Sequence, residues 1–183
     1  LIKSKSDYYT YLLKDKEALE VSPKIKRPRP FTDEIWRFQR LLRKTEYINN
    51  CSKNKISKLY GKLLKLKLKK EGSKLGFSIP INVFGPGLRI MHRGTIVVND
   101  KTRVGEFCKL HVCVNIGAIP VDGKDSAPVI GDRVYIGPGV KMFGKITIAD
   151  DVKIGANAVV NKSMLESKVS IAGVPAKKII KNK

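Results

Sequence analysis

Two histidines are the residues in this 183-residue chain best suited to proton chemistry near neutral pH. His92 lies in "MHRGT" and His111 in "KLHVCVNIG". A neutral imidazole can take the proton of a hydroxyl as its oxygen attacks a carbonyl, a form of catalysis worth about 10²–10⁴ in rate. The alternative for either residue is a satisfied surface or core histidine that does no chemistry. Two imidazoles fall short of a three-histidine zinc site, and Cys51, Cys108 and Cys113 have neither metal nor redox spacing. The sequence therefore predicts no metal centre.

What positions the histidines is a repeat. Written in sixes, residues 130–159 read "IGDRVY IGPGVK MFGKIT IADDVK IGANAV", with an aliphatic at Ile130, Ile136, Met142, Ile148, Ile154 and then Val160. A second apolar column follows four residues on, at Val134, Val140, Ile146, Val152 and Ala158. This period is neither 3.6 nor 2, which excludes an amphipathic helix and a simple alternating strand. A hexad repeat is the mark of a parallel β-helix, with three hexads to each triangular coil. The first column points inward and stacks from coil to coil. Gly131, Gly137, Ala149 and Gly155 follow it, and glycine there suits a corner of unusual backbone angles.

Backwards, the same grid holds Ile116, Leu110, Val104 and Val98, with Val114, Cys108 and Thr102 in the second column. It breaks twice. Ile116 to Ile130 spans fourteen residues, two more than two hexads, and the excess falls in "AIPVDGKDSAP", read as a segment looped out of a coil. Ile90 to Val98 spans eight and contains "MHRGT". Breaks in a rigid scaffold are where chemistry is expected, which favours His92 as a functional residue. His111, directly after the inward Leu110, is the competing base. Asp122, Lys124 and Asp125 on the extra loop are either solvated or close over a bound acceptor.

The solenoid is predicted over 79–183 and a basic helical region over 1–78. Of 37 Lys and Arg, 21 lie in 1–78, against 8 of the 16 acids, and the whole chain carries +21. Helices are predicted near 6–20, 32–49 and 55–70. Thr32 is placed to cap the second, with Asp33 and Glu34 in its first turn and Ile35, Phe38, Leu42 and Thr45 on its packing face beside Trp36. Gly61 interrupts the third, "ISKLYGKLLKLKLKK", whose apolar stripe either packs on neighbours or adheres to an anionic membrane surface. No stretch approaches the roughly 20 apolar residues that span a bilayer and no secretory signal is visible, so a cytoplasmic setting is expected.

The hexads, together with "IAGVPAKKI" at 171–179, resemble the hexapeptide-repeat acyltransferases, and within them the serine acetyltransferase-like group, which includes enzymes acting on glycans. The resemblance covers roughly 79–179. It implies a left-handed β-helix, a homotrimer with sites between subunits, and acetyl-CoA as donor. "MHRGTIVVND" is similar to the group's catalytic stretch, which carries the role of general base to His92. "NIGA" resembles the corner bordering the pantetheine arm, here Gly117 and Ala118, and Gly117 offers a backbone N–H to the oxyanion. "IGPG" and "IGANAV" match the coils against which CoA lies, at Pro138 and Ala156. "AGVPAK" resembles the segment at the adenine end, giving Ala172, Gly173, Val174, Pro175, Ala176 and Lys177, with Lys178 beside it as a second cation for phosphates.

Two departures bear on the acceptor. The group pairs its histidine with an upstream aspartate, and the nearest polar candidate for that place here is Asn82, which cannot replace a carboxylate's charge. The Arg-His pair of the extra loop is replaced by Ser126-Ala127 before Pro128. Both count against L-serine as acceptor, and the missing Arg-His pair with the short, basic N-terminal region tilts the reading towards a sugar hydroxyl of a surface-polysaccharide precursor. The contrasting class is a non-catalytic basic scaffold for nucleic acid or a membrane surface. Charge supports it, but neither a nucleic-acid motif nor interleaved aromatics accompany that charge, so nucleic acid is not the expected partner.

Overall fold

The computed structural model describes residues 1–121 and 124–180. From Phe77 onward the chain winds through three flat faces in strict rotation. The first face stacks Phe77–Ser78, Ile96–Val98, Val114–Gly117, Lys141–Phe143 and Val159–Val160 in parallel. The second stacks Arg103–Val104, Val129–Ile130 and Thr147–Ile148, extended by bridges at Phe84 and Met164. The third stacks Arg89–Ile90, Lys109–Leu110, Tyr135–Ile136, Lys153–Ile154 and Ser170–Ala172, and Lys177–Lys178 turns back antiparallel to close its edge. The register aligns equivalent hexads, Ile136 with Leu110 and with Ile154, so identical positions stack.

Both apolar columns fill the interior. Ile116, Ile136 and Ile154 are wholly buried, as are Val134, Val140, Val152 and Ala158. Each such Ile or Val contributes about 1.5–3 kcal/mol by leaving water, summed along a continuous core. The glycines have a different job from the one read in the sequence. Gly131, Gly137 and Gly155 do not adopt left-handed angles; those fall two residues later, at Arg133, Gly139 and Asn157. What the glycines permit is close approach of coils: a Cβ on Gly137 would lie 2.6 Å from the Ile154 carbonyl oxygen.

The two breaks also resolve. Successive faces are six residues apart, as Val98 to Val104 and Met142 to Ile148 show, so fourteen from Ile116 to Ile130 is one hexad plus an insertion of eight. The insertion is a hairpin at the corner between first and second faces, Ile119–Val121 against Lys124–Ser126. Asp122 and the side chains of Lys124 and Asp125 lie outside the described residues. The break around "MHRGT" is a two-residue bulge at the corner between third and first faces.

Three helices precede the solenoid: α1 (Lys5–Ala18), α2 (Glu34–Cys51) and α3 (Lys55–Leu75). Asp33, not Thr32, stands at the N-cap of α2, and its carboxylate is taken by Arg29 and makes no cap bond. α3 runs five residues further than its charge pattern suggested, because Gly72 and Leu75 pack at the start of the solenoid before Gly76 stops the helix in the left-handed region. Gly61 lies under Ile48 of α2, so it serves the contact between the two helices.

A buried ion group docks the helices on the first coil. Arg43 bonds Asp15 at 2.8 Å and Glu46 at 3.1 Å, and also donates to the carbonyls of Phe84 and Gly85. Asp15 in turn accepts from the N–H groups of Gly87 and Leu88. Burial works against the Arg43 charge, but Asp15 and Glu46 outweigh it and hold the guanidinium protonated.

Candidate functional site

The corner between third and first faces gathers most of the candidate residues. The Met91 N–H donates to Leu110 O, the His111 N–H to Ile136 O, the Gly137 N–H to Ile154 O and the Gly155 N–H to Ile171 O. One column of backbone therefore runs upward from His92 past His111, Gly137-Pro138 and Gly155-Ala156 to Ala172-Gly173.

His92 sits at the tip of the bulge and is exposed. Helix ends brace that bulge. The Gly94 N–H donates to Leu75 O at 2.9 Å, the Ile96 N–H to Gly76 O at 2.9 Å, and Arg93 meets Glu34 at 3.4 Å. Gly94 needs its freedom, with φ at +145° and Val112 closely packed where a Cβ would stand.

His111 is half-buried one coil above. Its ring centroid lies 6.3 Å from that of His92 and 5.1 Å from that of Tyr135, edge to face. Burial, and then the charge of His92, lower its pKa below the ordinary 6.5, so His111 is uncharged at neutral pH. Among the described residues no carboxylate hydrogen-bonds either ring. An exposed imidazole, beside a second imidazole that packs against a phenol, can accept a proton from a hydroxyl brought to this corner.

Asn82 does not join them. It stands at the opposite corner, between the first face and Phe84, where its amide exchanges hydrogen bonds with Asn50 at 2.8 and 3.0 Å and its N–H donates to Glu46. It fastens α2 to the solenoid, and a short polar side chain at φ +65° suits that turn. Gly117 and Ala118 also lie at the corner between first and second faces, beside Gly144, so one chain does not bring them to His92.

The segment after Ile171 folds over the top coil, with Ala176 donating to Val159 O and Val159 to Gly173 O. Val174, Pro175 and Lys177 are exposed, and Ala172 and Ala176 half-buried. Lys178 is not a free cation: Glu166 holds it at 2.6 and 2.8 Å.

Sequence reading missed a groove of about 720 Å³ across the third face. Lys109, Tyr135, Lys153 and Ser170 line it on successive coils, with Arg133 at its side and Gly155, Ile171 and Ile179 toward the top. Arg133 is tied to Asp151 at 2.8 Å. The signal was present as the outward residue just before each inward aliphatic, once per coil. Among the described residues, no group of three or more His, Cys, Asp or Glu could hold a metal ion.

Residues 127–162 match the bacterial transferase hexapeptide family, six repeats. Over 100 residues the chain is 38% identical to a serine acetyltransferase of Mycobacterium tuberculosis, covering 55% of this chain and 43% of that protein. Over 99 residues it is 35% identical to one from Helicobacter pylori, covering 54% of this chain and 57% of the relative. A serine acetyltransferase of Brucella abortus, solved in complex with coenzyme A, matches in structure with a TM-score of 0.73 at 25% identity, over 96% of this chain and 68% of that one. The solenoid shares the left-handed β-helix of these structures. The chain spans about half the length of the curated relatives it matches.

Proposed function

We propose, for a chain that is a hexapeptide-repeat protein akin to serine acetyltransferases, that it transfers acetyl from acetyl-CoA to an acceptor hydroxyl with His92 as general base. The observation that carries the reading is the single corner along which His92, Pro138, Ala156 and the 172–177 segment follow one another.

In this reaction the acceptor oxygen attacks the thioester carbonyl while His92 takes its proton. The tetrahedral intermediate carries its negative charge on the former carbonyl oxygen, and backbone N–H groups stabilise it. Collapse breaks the carbon–sulfur bond, and the imidazolium returns the proton to the departing thiolate. No residue is acylated. His111, uncharged at neutral pH, sets no second positive charge against the imidazolium that forms on the base as it takes the proton.

The donor lies along the corner, with small side chains at Pro138 and Ala156 leaving room for the pantetheine arm. Lys177 reaches phosphates at the far end, and Lys109 and Lys153 add positive charge from the adjoining groove. Gly117 and Ala118 come to His92 only from a second copy, which is the reason to propose a homotrimer with shared sites.

Two acceptors remain in contest. The relatives bear the name serine acetyltransferase. Against L-serine stands the chemistry around His92. A zwitterionic amino acid needs an anion for its ammonium and a free cation for its carboxylate, yet Arg93 is engaged by Glu34 and no carboxylate bonds His92 among the described residues. A neutral sugar hydroxyl imposes neither demand, and we favour it. Purified protein supplied with acetyl-CoA and either L-serine or a panel of hexoses and N-acetylhexosamines, followed by free thiol release, tests the reading. Faster release with sugars supports it; release with L-serine alone makes serine the acceptor, and release with neither removes the activity.

A further inference from the structure

α3 carries two apolar stripes. Gly61, Leu64, Leu68 and Leu75 are buried against α2 and the start of the solenoid. On the other side Ile56, Leu59, Leu63 and Leu66 recur at intervals of three and four, with 82, 60, 57 and 66% of their surface exposed. One stripe suffices to fix a helix to its domain; the second buries nothing within this chain.

The charges around that second stripe select its occupant. α3 has eight lysines and one glutamate, and every lysine is exposed. At about 100° per residue, Lys55 and Lys62 border the stripe along one edge and Lys67 along the other. If two copies met through this stripe by a two-fold axis, each would set its lysine rows against the same rows on its partner. An anionic bilayer reverses the sign of that interaction. Lysine stems then lie along the apolar boundary with their ammonium groups among headgroup phosphates, and the aliphatics enter the acyl region.

We propose that α3 is an interfacial helix that docks the protein on an anionic lipid surface through Ile56, Leu59, Leu63 and Leu66. Among the described residues no helix is long and apolar enough to cross a membrane, so the contact is lateral. Docking is independent of the proposed acetyl transfer and is tested without it.

The probe is flotation of the full chain with vesicles of phosphatidylcholine plus phosphatidylglycerol, against vesicles of phosphatidylcholine alone. The protein floats with the anionic vesicles and not with the neutral ones. Leu59→Gln with Leu63→Gln leaves the charge unchanged and lowers the partition coefficient by about tenfold or more. Lys62→Gln with Lys67→Gln also lowers it, by about tenfold. All four side chains are exposed, so melting temperatures stay at the wild-type value. Three results overturn the proposal. The first is wild type found only in the unbound fraction. The second is binding of the leucine pair equal to that of the wild type, which leaves charge alone. The third is a smaller assembly of the leucine pair in sedimentation with no lipid binding by the wild type, which assigns the stripe to a second copy.

Discussion

The His92 and His111 rings stand 6.3 Å apart on adjacent coils of one solenoid corner, tilted by 57°. Two imidazolium ions at that separation repel, so the pair divides its roles by burial. His111, half-buried against Tyr135, has its pKa lowered by burial, and the exposed His92 faces whatever enters the corner.

The division has a consequence for stability. Because the folded-state pKa of His111 lies below the ordinary 6.5, the unfolded chain binds that proton at a pH where the folded chain does not. Stability therefore rises with pH through the window just below 6.5, and falls as acid is added. Denaturant melts across that window are expected to slope more steeply for the wild type than for His111→Gln. Parallel slopes would contradict the shift.

Thr102 occupies the inward second column, fully buried, and its hydroxyl has no hydrogen-bond partner among the described residues. Thr102→Val keeps the shape and removes the stranded polar group. A gain of about 1–2 kcal/mol is expected in urea unfolding; a loss would mean that the hydroxyl is satisfied in solution.

Arg43→Met tests the joint between helices and solenoid. The variant leaves Asp15 and Glu46 buried without their cation, at a cost of about 3–5 kcal/mol. Thermal unfolding well below the wild-type midpoint is expected, and an unchanged midpoint would show that the triad contributes nothing net.

Thiol reactivity reads the solenoid interior directly. Burial pushes the Cys108 thiol up to about 12, whereas Cys113 is exposed. Maleimide at neutral pH should label Cys113 in the native protein and Cys108 only after denaturant, as mass spectrometry of the peptides would reveal. Native labelling of Cys108 would mean the coil opens.

Much of this architecture was legible because a hexad is a local unit. The inward aliphatics, Ile130 to Val160, announce themselves at short range, and so do the breaks that hold His92 and the hairpin. What escaped depends on neighbours a coil away. The space that Gly137 leaves is set by Ile154, and the Asn82 amide is claimed by Asn50, 32 residues earlier. The groove of Lys109, Tyr135 and Lys153 emerges only when the eight-residue insertion is assigned to one corner, since that length decides which residues stack. Lys178 read as a free cation until the fold brought Glu166 to it. The second stripe of α3 was hidden for the same reason: the sequence shows all its leucines, and only packing separates buried from exposed ones.

The central claim is that His92 takes the acceptor's proton. Turnover of acetyl-CoA with the best acceptor, measured as free thiol in wild type, His92→Ala and His111→Ala, tests it most directly. His92→Ala is expected to lower turnover by about 10²–10⁴ with CoA affinity retained, and His111→Ala to lower it much less. Wild-type turnover in His92→Ala, or its loss only in His111→Ala, would contradict the assignment.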